Sequence, residues 1–327
     1  MMPVLSSLKY QANECSDTLM IRSVSVVVPS LGRVERLREC VGAILGQDID
    51  VLLDVAVVID GAEAERAASE LRKIFSDDKR IKFDASPKRR GSPLAKNVGA
   101  SLVKGEVVVF VDDDTVPQSG WLRTLVNSYS EGIVGVGGSE DKQRPLGNLR
   151  KLWIRFWGGA TGKVTKSGLV VSNFTPSKPV PEKVDCLAGA NMSFLREAFE
   201  RSGGFDVNYK GTAWREETDL CLRIRTGSSL LFVPAARVIH KEELTGGNSP
   251  ESVREWNYWY HRNNTYFFLK NLAGRGKGLW LRHQTIELVI ALGRILQQRS
   301  VSPLTTFRPA TRDGRAAFEE LGQSARK

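Results

Sequence analysis

Short runs of β-branched residues alternate with segments of helical periodicity in the first third of the chain. Strand-like runs lie at 23–30, 51–60, 80–85 and 106–111, and helical spacing of apolar residues occupies 34–47, 63–75 and 92–103. Strands joined by helices need crossover connections, which makes the strands parallel in one sheet with helices on both faces. Ligands of such sheets bind outside the carboxyl ends of the strands. The sequence therefore predicts an α/β fold with its site at that edge.

Carboxylates are concentrated where two of these strands end. Asp112, Asp113 and Asp114 directly follow the strand EVVVFV, and Asp60 ends the strand VLLDVAVVID. Two like charges in contact repel by about 1 kcal/mol in water and by several where the dielectric is lower. A solvated turn is one interpretation, since Asp is common in turns. The other is a site for a hard divalent cation, which takes oxygen ligands, and the shared placement at strand ends favours it.

Composition restricts the partners and the compartment. Lys plus Arg number 47 against 37 Asp plus Glu, and the net charge of +10 favours phosphorylated small molecules, nucleic acid or an acidic membrane surface. The cysteines are scattered at 15, 40, 186 and 221, which indicates reduced thiols in a cytosolic protein and no structural zinc site. The N-terminal segment lacks the basic start and apolar run of a signal peptide, and no run approaches the roughly 18 apolar residues of a membrane span.

Further along the chain the pattern supports four segments. We predict a tail over 1–20, an α/β domain over 21–245, an amphipathic helical region over 246–302 and a partly disordered tail over 303–327. Residues 139–183 contain Trp153, Phe156 and Trp157 but no clear periodicity, so a substrate loop and a surface insertion both remain open. The basic amphipathic helix near 278–299 either packs on the main domain or lies on an anionic membrane.

Three other features carry chemical information. In WREETDLCLRIR, Asp219 faces Arg223 and is predicted to form an ion pair on the helix surface. Glu217 instead follows the apolar stripe, so either it complements the helix dipole or it has a functional role, since charged residues are rarely buried without a partner. His240 is either structural or a ligand. The segment KRRGSPLAKN at 88–97 suits a phosphate-bearing ligand, or is a solvated basic loop.

Taken in this order, these segments resemble the family 2 glycosyltransferases of the GT-A fold from about Ser23 to His240. The resemblance is carried by VSVVVPS…ERLRECVGAILGQ, by GSPLAKNVGASLVKGEVVVFVDDDTVP with its DxD motif, and by GANMSFLREAFERSGGFD…EETDLCLRIRTGSSLLFVPAARVIH. It implies a mainly parallel GT-A sheet flanked by helices, followed by a C-terminal helical extension. It also implies inverting transfer of a sugar from a nucleotide-diphosphate sugar to an acceptor hydroxyl.

The resemblance also implies roles for individual residues. Asp112 and Asp114 would hold a divalent ion, Mn²⁺ or Mg²⁺, with His240 completing the shell, and Glu217 stands where the family has its general base. The implied donor-binding residues are Pro29, Asp60, Gly91, Lys96, Asn97, Asp112 and Asp113, with Asp60 at the nucleotide base; the implied acceptor-binding residues are Gly189, Ala190, Asn191, Trp214 and Glu216. The chain departs from the family pattern at Ile59, which replaces an Asp, at Lys96, which replaces an Arg, and at Glu217, which replaces an Asp.

The implied partners are a nucleotide-sugar donor and a glycan or lipid-linked acceptor used in cell-surface polysaccharide or glycoconjugate synthesis. A cytoplasmic protein with peripheral contact to the inner membrane face is the implied location. We expect no nucleic-acid partner, because the sequence has no motif or aromatic platform of that kind. Two alternatives stay open: a sugar-1-phosphate nucleotidyltransferase, although VVVPSLGRVERL offers only one glycine for a triphosphate loop, and a non-catalytic basic binding protein.

Overall fold

A computed structural model describes residues 18–76, 78–142, 159–241 and 252–324. The strands are β1 (Ser23–Ser30), β2 (Leu52–Asp60), β3 (Ile81–Ser86), β4 (Val107–Val111), β5 (Thr115–Pro117), β6 (Ile133–Lys142), β7 (Lys163–Val164), β8 (Val170–Val171), β9 (Glu182–Val184), β10 (Asn191–Leu195) and β11 (Ser229–His240). The helices are α1 (Val34–Leu45), α2 (Ala64–Ile74), α3 (Ser92–Leu102), α4 (Trp121–Val126), α5 (Arg196–Arg201), α6 (Glu216–Ile224), α7 (Val253–Asn271), α8 (Lys277–Gln298) and α9 (Ser302–Ser324), with a 3₁₀ turn at Ala273–Arg275.

The strands form one large sheet in the order β3-β2-β1-β4-β10-β6-β11-β5, with β9 also paired to β11. The first four of these strands are parallel, as is the pair β6 and β11. Strand β10 runs antiparallel between β4 and β6, and β5 and β9 are antiparallel to β11. The predicted sheet flanked by helices is therefore confirmed, and the antiparallel pairs extend it beyond the β-α-β units that the periodicity indicates.

Two layers of helices cover the sheet because its central strands are apolar on both faces. Alternate residues of β1 point to opposite sides: Val26 and Val28 pack with α1 and α2, whereas Val27 packs with α3, α5 and α6. Gly99 allows α3 to lie directly on the sheet, since a Cβ there would come within 2.3 Å of Val27 Cγ1. Helix α3 is thus held close to the strands whose ends form the site.

The register of the strands brings the acidic residues to one edge. Ser30 pairs with Ile59, and Val27 pairs with Phe110, so β1, β2 and β4 end side by side. The predicted meeting of Asp60 with the acidic triplet at the carboxyl ends is confirmed. Beyond the triplet the chain turns into β5, where Thr115 pairs with His240 of β11. This antiparallel pair carries His240 to the acidic residues.

The expected disorder of the tail is wrong for residues 302–324, which form α9. Ala317, Phe318 and Leu321 of α9 pack on a cluster that includes Tyr266 and Phe267 of α7. Gly314 permits this close approach, because a Cβ there would lie 2.5 Å from the backbone oxygen of Arg262. The helix forms because its apolar stripe finds this partner, which tail composition alone does not reveal.

Within the 139–183 segment, residues 139–142 end β6, and the structure also describes the residues from 159 onward. Trp153, Phe156 and Trp157 lie outside the described residues. Strands β7 and β8 form a hairpin, and β9 joins the main sheet. The ring of His283 in α8 approaches the backbone oxygen of Ser167 at 2.9 Å. Cys40, Cys186 and Cys221 are buried free thiols, as predicted, and Cys15 lies outside the described residues.

Candidate active site

A cavity of about 720 Å³ opens at the carboxyl edge of the sheet. One part of its lining comes from the strand ends and the α3 approach: Pro29–Leu31, Arg33, Asp60, Arg89–Pro93, Ala95, Asp112–Asp114 and His240. The remainder comes from the loop before α6 and the first turn of α7: Tyr209–Thr212, Trp214, Glu255 and Trp256. A volume of this size is within the range of small-molecule and cofactor sites.

Asp112, Asp114 and His240 form a cluster able to hold a metal ion. One ligand atom from each residue lies within 4.8 Å of the other two. His240 Nε2 is 3.3 Å from Asp114 Oδ1, and this buried oxygen makes no hydrogen bond to any residue that the structure describes. Two carboxylates and an imidazole suit Mn²⁺ or Mg²⁺, the imidazole shifting the preference toward Mn²⁺. The three predicted metal ligands are therefore brought together, and the donor set fits such an ion.

When no metal is present, the charges around this cluster favour a proton on His240. Burial disfavours the charged imidazole, but Asp114 and Glu140 outweigh that cost and raise the pKa of His240 to about 10. Burial raises the pKa of Asp112, although Lys96 opposes the shift. The pKa of Asp114 is lowered despite burial, because His240 and Arg33 stabilise its charge. A cation entering the cluster must displace the proton of His240.

We expect the apparent affinity for Mn²⁺ to rise with pH through the neutral range. His240 with its pKa raised to about 10 is protonated below that pH, and only the neutral imidazole binds metal. Displacing one proton gives up to about a tenfold gain in affinity per pH unit. Calorimetric titration of Mn²⁺ across pH would measure this slope, and His240→Gln should bind weakly with a shallower slope. Equal slopes in the two proteins would contradict the assignment.

Asp113 lines the same cavity as the metal cluster and is bound by Arg33. Arg33 Nε donates to its carboxylate at 3.1 Å, and Arg33 Nη2 and Ser30 Oγ also bind it. Burial raises the pKa of Asp113, with Arg33 opposing the shift. Asp113 therefore holds Arg33 at the cavity wall, and the donor contact implied for Asp113 stays a prediction. Sequence reasoning missed Arg33, because a single Arg in a loop belongs to no motif.

Asp60 is also bound by an arginine that lines the cavity. Its side chain is 3% exposed and accepts hydrogen bonds from Arg90 N at 2.8 Å and Arg90 Nε at 2.7 Å. Arg90 also pairs with Asp84. Any contact of Asp60 with a nucleotide base would therefore be shared with Arg90. The basic segment before α3 predicted a cation at this position, but the sequence did not predict that Arg90 would pair with Asp60. The predicted residues Pro29 and Gly91 both line the cavity.

Lys96 and Glu216, for which the resemblance implies donor and acceptor contacts, bind each other in this structure. Lys96 Nζ lies 2.7 Å from Glu216 Oε1, and Ser92 Oγ donates to the same oxygen at 2.7 Å. Burial raises the pKa of Glu216, although the charge of Lys96 opposes this shift. Burial alone would lower the pKa of Lys96, but the charges of Glu216 and Asp112 raise it. This buried pair joins α3, whose first turn borders the cavity, to the start of α6.

Replacing Lys96 with methionine should lower the free energy of unfolding by about 3–5 kcal/mol, because it leaves Glu216 buried without its counter-ion. Urea unfolding followed by circular dichroism measures this loss. The double variant Lys96→Met/Glu216→Gln should recover most of the stability, since no unpaired charge remains. A single variant as stable as the parent would show that the pair is not needed.

Two further residues with implied ligand contacts, Asn97 and Asn191, form hydrogen bonds within the protein. Asn97 exchanges hydrogen bonds of 2.8 Å with the backbone N–H and oxygen of Phe205. Asn191 is fully buried: it accepts from Trp121 Nε1, and its amide group donates to the backbone oxygens of Ser139 and Ala236. Of the other predicted acceptor residues, Ala190 is buried, Gly189 lies beside Glu217, and Trp214 lines the cavity.

Glu217 is the second residue of α6 and is partly exposed. Its Cγ lies 3.7 Å from the position that a Cβ of residue 189 would take, and Thr218 Oγ1 donates to its Oε1 at 3.0 Å. Its side chain is not part of the lining of the cavity. Hydrogen bonds of catalytic groups are often long or misaligned before substrate binds, so this position does not exclude a general base.

Asp219 is paired with Arg223 as predicted, but the pair is not on the surface. The Asp219 side chain is fully buried, lies 2.8 Å from Arg223 Nη2 and 2.9 Å from Lys270 Nζ, and accepts a hydrogen bond from Asn271 Nδ2. The surface prediction is wrong because α7 covers this face of α6. Asp219 thus fastens the helix that carries Glu217 to the C-terminal helices.

Three consecutive polar residues of α7, which we call the α7 latch (Arg262, Asn263 and Asn264), hold the loop before α6. Arg262 Nη1 donates to the backbone oxygen of Asn208, Asn263 Nδ2 donates to that of Lys210, and Asn264 Oδ1 accepts from Arg215 Nε. All three are buried. Sequence reasoning missed them, because polar residues in a helical pattern resemble a solvated face. Within this loop Ala213 and Arg215 have positive φ, a strain that such contacts sustain.

Comparison with known proteins identifies a family and relatives that cover more than half of the chain. Residues 25–203 match the family model described as "Glycosyl transferase family 2". A glucosyl-dolichyl phosphate glucuronosyltransferase of Haloferax volcanii is 29% identical over 227 residues, covering 67% of this chain and 68% of that protein. A pre-mycofactocin glycosyltransferase of Mycobacterium tuberculosis is 25% identical over 283 residues, covering 84% of this chain. The chain spans about half, 52%, of the length of that second relative.

Solved structures give a similar result for the fold. The mannosyltransferase PcManGT from Pyrobaculum calidifontis, solved with GDP-Man and Mn²⁺, superposes with a TM-score of 0.55 at 19% identity. The match covers 94% of this chain and 77% of that one. The likeness therefore includes the C-terminal helices as well as the sheet.

Proposed function

Because this chain belongs to glycosyl transferase family 2 and has the GT-A fold, we propose that it is a metal-dependent inverting glycosyltransferase. It transfers a sugar from a nucleotide-diphosphate sugar to an acceptor hydroxyl. The observation that carries this proposal is the cluster of Asp112, Asp114 and His240 in the wall of a cavity that is large enough for a donor. Mn²⁺ was present in the solved neighbour, which supports the same requirement here.

The donor side of the cavity supplies binding and orientation. A divalent ion bound to Asp112, Asp114 and His240 would stabilise the negative charge that develops on the leaving diphosphate. Arg33 is held by Asp113, and Arg90 by Asp60, so two guanidinium groups line the wall in fixed positions. Fixed cations of this kind stabilise developing charge without reorganising during the reaction. The two arginines and the two aspartates that hold them therefore form a diphosphate-binding wall on the donor side of the cavity.

The acceptor side supplies the proton acceptor. Glu217, at the start of α6, accepts the hydroxyl proton as the acceptor oxygen attacks the anomeric carbon. The helix that carries it is fixed from two sides, by the Lys96–Glu216 pair and by the contacts of Asp219 with Lys270. Attack on the face opposite the leaving diphosphate is a single displacement, so the anomeric configuration inverts.

We further propose a lipid-linked glycan as acceptor and a peripheral contact with an anionic membrane. The relative named for a dolichyl-phosphate substrate supports the first part. The second is supported by an exposed apolar stripe on α8, formed by Leu281, Leu288, Val289, Leu292 and Leu296, beside the exposed Arg282 and Arg299. The net charge of +10 favours the same surface.

Among the described helices, none combines the length and the hydrophobicity that crossing a bilayer requires.

Release of nucleoside diphosphate from a panel of sugar nucleotides, with and without Mn²⁺, tests the proposal. We expect release from at least one donor, only in the presence of the metal and faster with polyprenyl-linked glycans in anionic vesicles. The product's anomeric configuration, read by NMR, should be inverted. Absence of release from every donor with either Mn²⁺ or Mg²⁺ would overturn the assignment, and equal rates in excess chelator would overturn its metal dependence.

A further inference from the structure

Three aromatic side chains from two separate parts of the chain meet at the wall of the cavity. Trp214, in the loop before α6, has its ring centroid 6.0 Å from that of Trp256 and 5.5 Å from that of Tyr260. Trp256 and Tyr260, one turn apart on α7, stack at 5.3 Å with an angle of 17° between their planes. Trp214 and Trp256 both line the cavity, and Trp214 remains 37% exposed. We call this cluster the aromatic platform.

Two arginines hold the platform in place. The guanidinium carbon of Arg294, on α8, lies 3.6 Å from the Tyr260 ring centroid and 4.5 Å from that of Trp256. The guanidinium of Arg215 lies 5.1 Å from the Trp214 ring centroid. Stacked guanidinium groups attract the ring faces and restrict their motion. The rings are therefore fixed before any ligand binds, which reduces the entropy that binding must overcome.

The loop that carries Trp214 is also packed against α7. Gly211, with φ of +60°, sits so close to Trp259 that a Cβ at this position would lie 2.3 Å from the indole. The α7 latch binds the same loop through Lys210 and Asn208. The positions of Trp214 and Trp256 are consequently coupled, and both rings belong to one rigid wall.

We propose that this platform is the acceptor subsite, and that a pyranose ring of a saccharide acceptor packs its C–H face on one of the two indoles, Trp214 or Trp256, and its edge against the other, because the two ring planes lie 64° apart. The inference rests on the proposed glycosyltransferase function. The electron-rich face of an indole attracts the slightly positive C–H groups of a sugar ring, and burying both apolar surfaces adds to the attraction. The C-terminal helices then form part of the active site.

The surroundings of the platform favour a sugar over an acyl chain. Lys210, Thr212 and Glu255 line the cavity next to the two tryptophans. Ammonium, hydroxyl and carboxylate groups can bind sugar hydroxyls, whereas an acyl chain would leave them desolvated without partners. The metal cluster and the two arginines lie in the same cavity but come from the ends of β4 and β11 and from the loops that follow β1 and β3. Donor and acceptor sides thus arise from different elements.

The test uses methyl β-glycosides of glucose, galactose, mannose and N-acetylglucosamine as probes, with Mn²⁺ present. Saturation-transfer NMR, with irradiation of the aromatic protons, should detect the ring C–H protons of at least one glycoside. Trp256→Ala should weaken that binding by roughly 10- to 50-fold, the loss expected for removing some 60 to 100 Å² of apolar contact. Trp256→Phe should retain much of it. Trp280→Phe is the matched control, because Trp280 packs on Phe268 and His283 rather than at the cavity.

Trp214→Ala is the second variant, since its partly exposed ring can be removed with less disturbance to the interior. Thermal unfolding and Mn²⁺ titration would establish that each variant is folded. Unchanged glycoside binding in both alanine variants, or no glycoside signal from the parent protein, would overturn the inference. If the parent releases nucleoside diphosphate yet fails this test, the enzyme assignment stands and the platform does not. If glycosides bind through Trp256 but no donor is turned over, the platform stands alone.

Discussion

Glu217→Gln should lower the rate of sugar transfer by roughly 10²- to 10⁴-fold, the contribution expected of a general base. Glutamine keeps the shape and the hydrogen bond from Thr218, but it cannot take the proton of the acceptor hydroxyl. Because Glu217 lies outside the lining of the cavity that holds the donor groups, the dissociation constant of the donor should stay within about twofold of the parent value. Single-turnover transfer and calorimetric donor binding measure the two quantities.

The matched control is Glu197→Gln, which removes a carboxylate from the first turn of α5, where its side chain is 86% exposed. This variant should transfer sugar at the parent rate. Full turnover by Glu217→Gln would reject the base assignment. Glu255, a carboxylate that lines the cavity beside the aromatic platform, would then be the next candidate.

Asp114→Ala should weaken Mn²⁺ binding by at least about 100-fold, because even the loss of a residue that only supports a ligand costs 10- to 100-fold. Donor affinity should fall with it, since the diphosphate would be held largely through the ion. Calorimetric titration with Mn²⁺ measures the loss of metal affinity. Titration with the donor, at a Mn²⁺ concentration that saturates the parent protein, then measures the loss of donor affinity. The variant also removes the oxygen that lies 3.3 Å from His240 Nε2.

Asp141→Ala provides the control for Asp114. Asp141 is a neighbouring carboxylate on β6 that pairs with Arg237 at the surface, so its loss should change neither binding constant. Parent-level activity of Asp114→Ala, or of the parent in excess chelator, would show that the acidic cluster does not act through a metal.

Much of the sheet could be predicted, because each β-α-β unit is local in sequence. The valines of β1 and β4 need burial on both faces, and helices of the right length follow β1 and β2 at once. The edge at which Asp60 and Asp112 meet follows from parallel pairing alone. In contrast, the position of His240 depends on an antiparallel pair between β5 and β11, which joins residues more than a hundred positions apart. Only the family resemblance anticipated that contact.

The charged residues were harder to predict, because a charge pattern does not specify its partner. Lys96 and Glu216 are separated by 120 residues, and each matches a family position that suggested a ligand. Asp219 has a plausible surface partner at Arg223, yet Lys270 and Asn271 bury it. In each case, long-range packing of α6 against α3 or α7 decided the outcome. Among the residues that line the cavity, the acidic ones at the strand ends belong to a motif, whereas Arg33 and Trp256 do not and were missed.

The contacts of α7 with the loop before α6 and with Asp219 imply that the chain melts as one cooperative unit. Removing the residues after 245 would leave the buried Asp219 carboxylate without its partner Lys270. It would also expose Tyr209, whose ring centroid lies 5.1 Å from that of Tyr266. A fragment ending there would lose buried contacts on which α6 and the loop before it depend. Any shortened form meant for crystallisation, or any fusion joint, should therefore be placed beyond α9 rather than between the sheet and the helices.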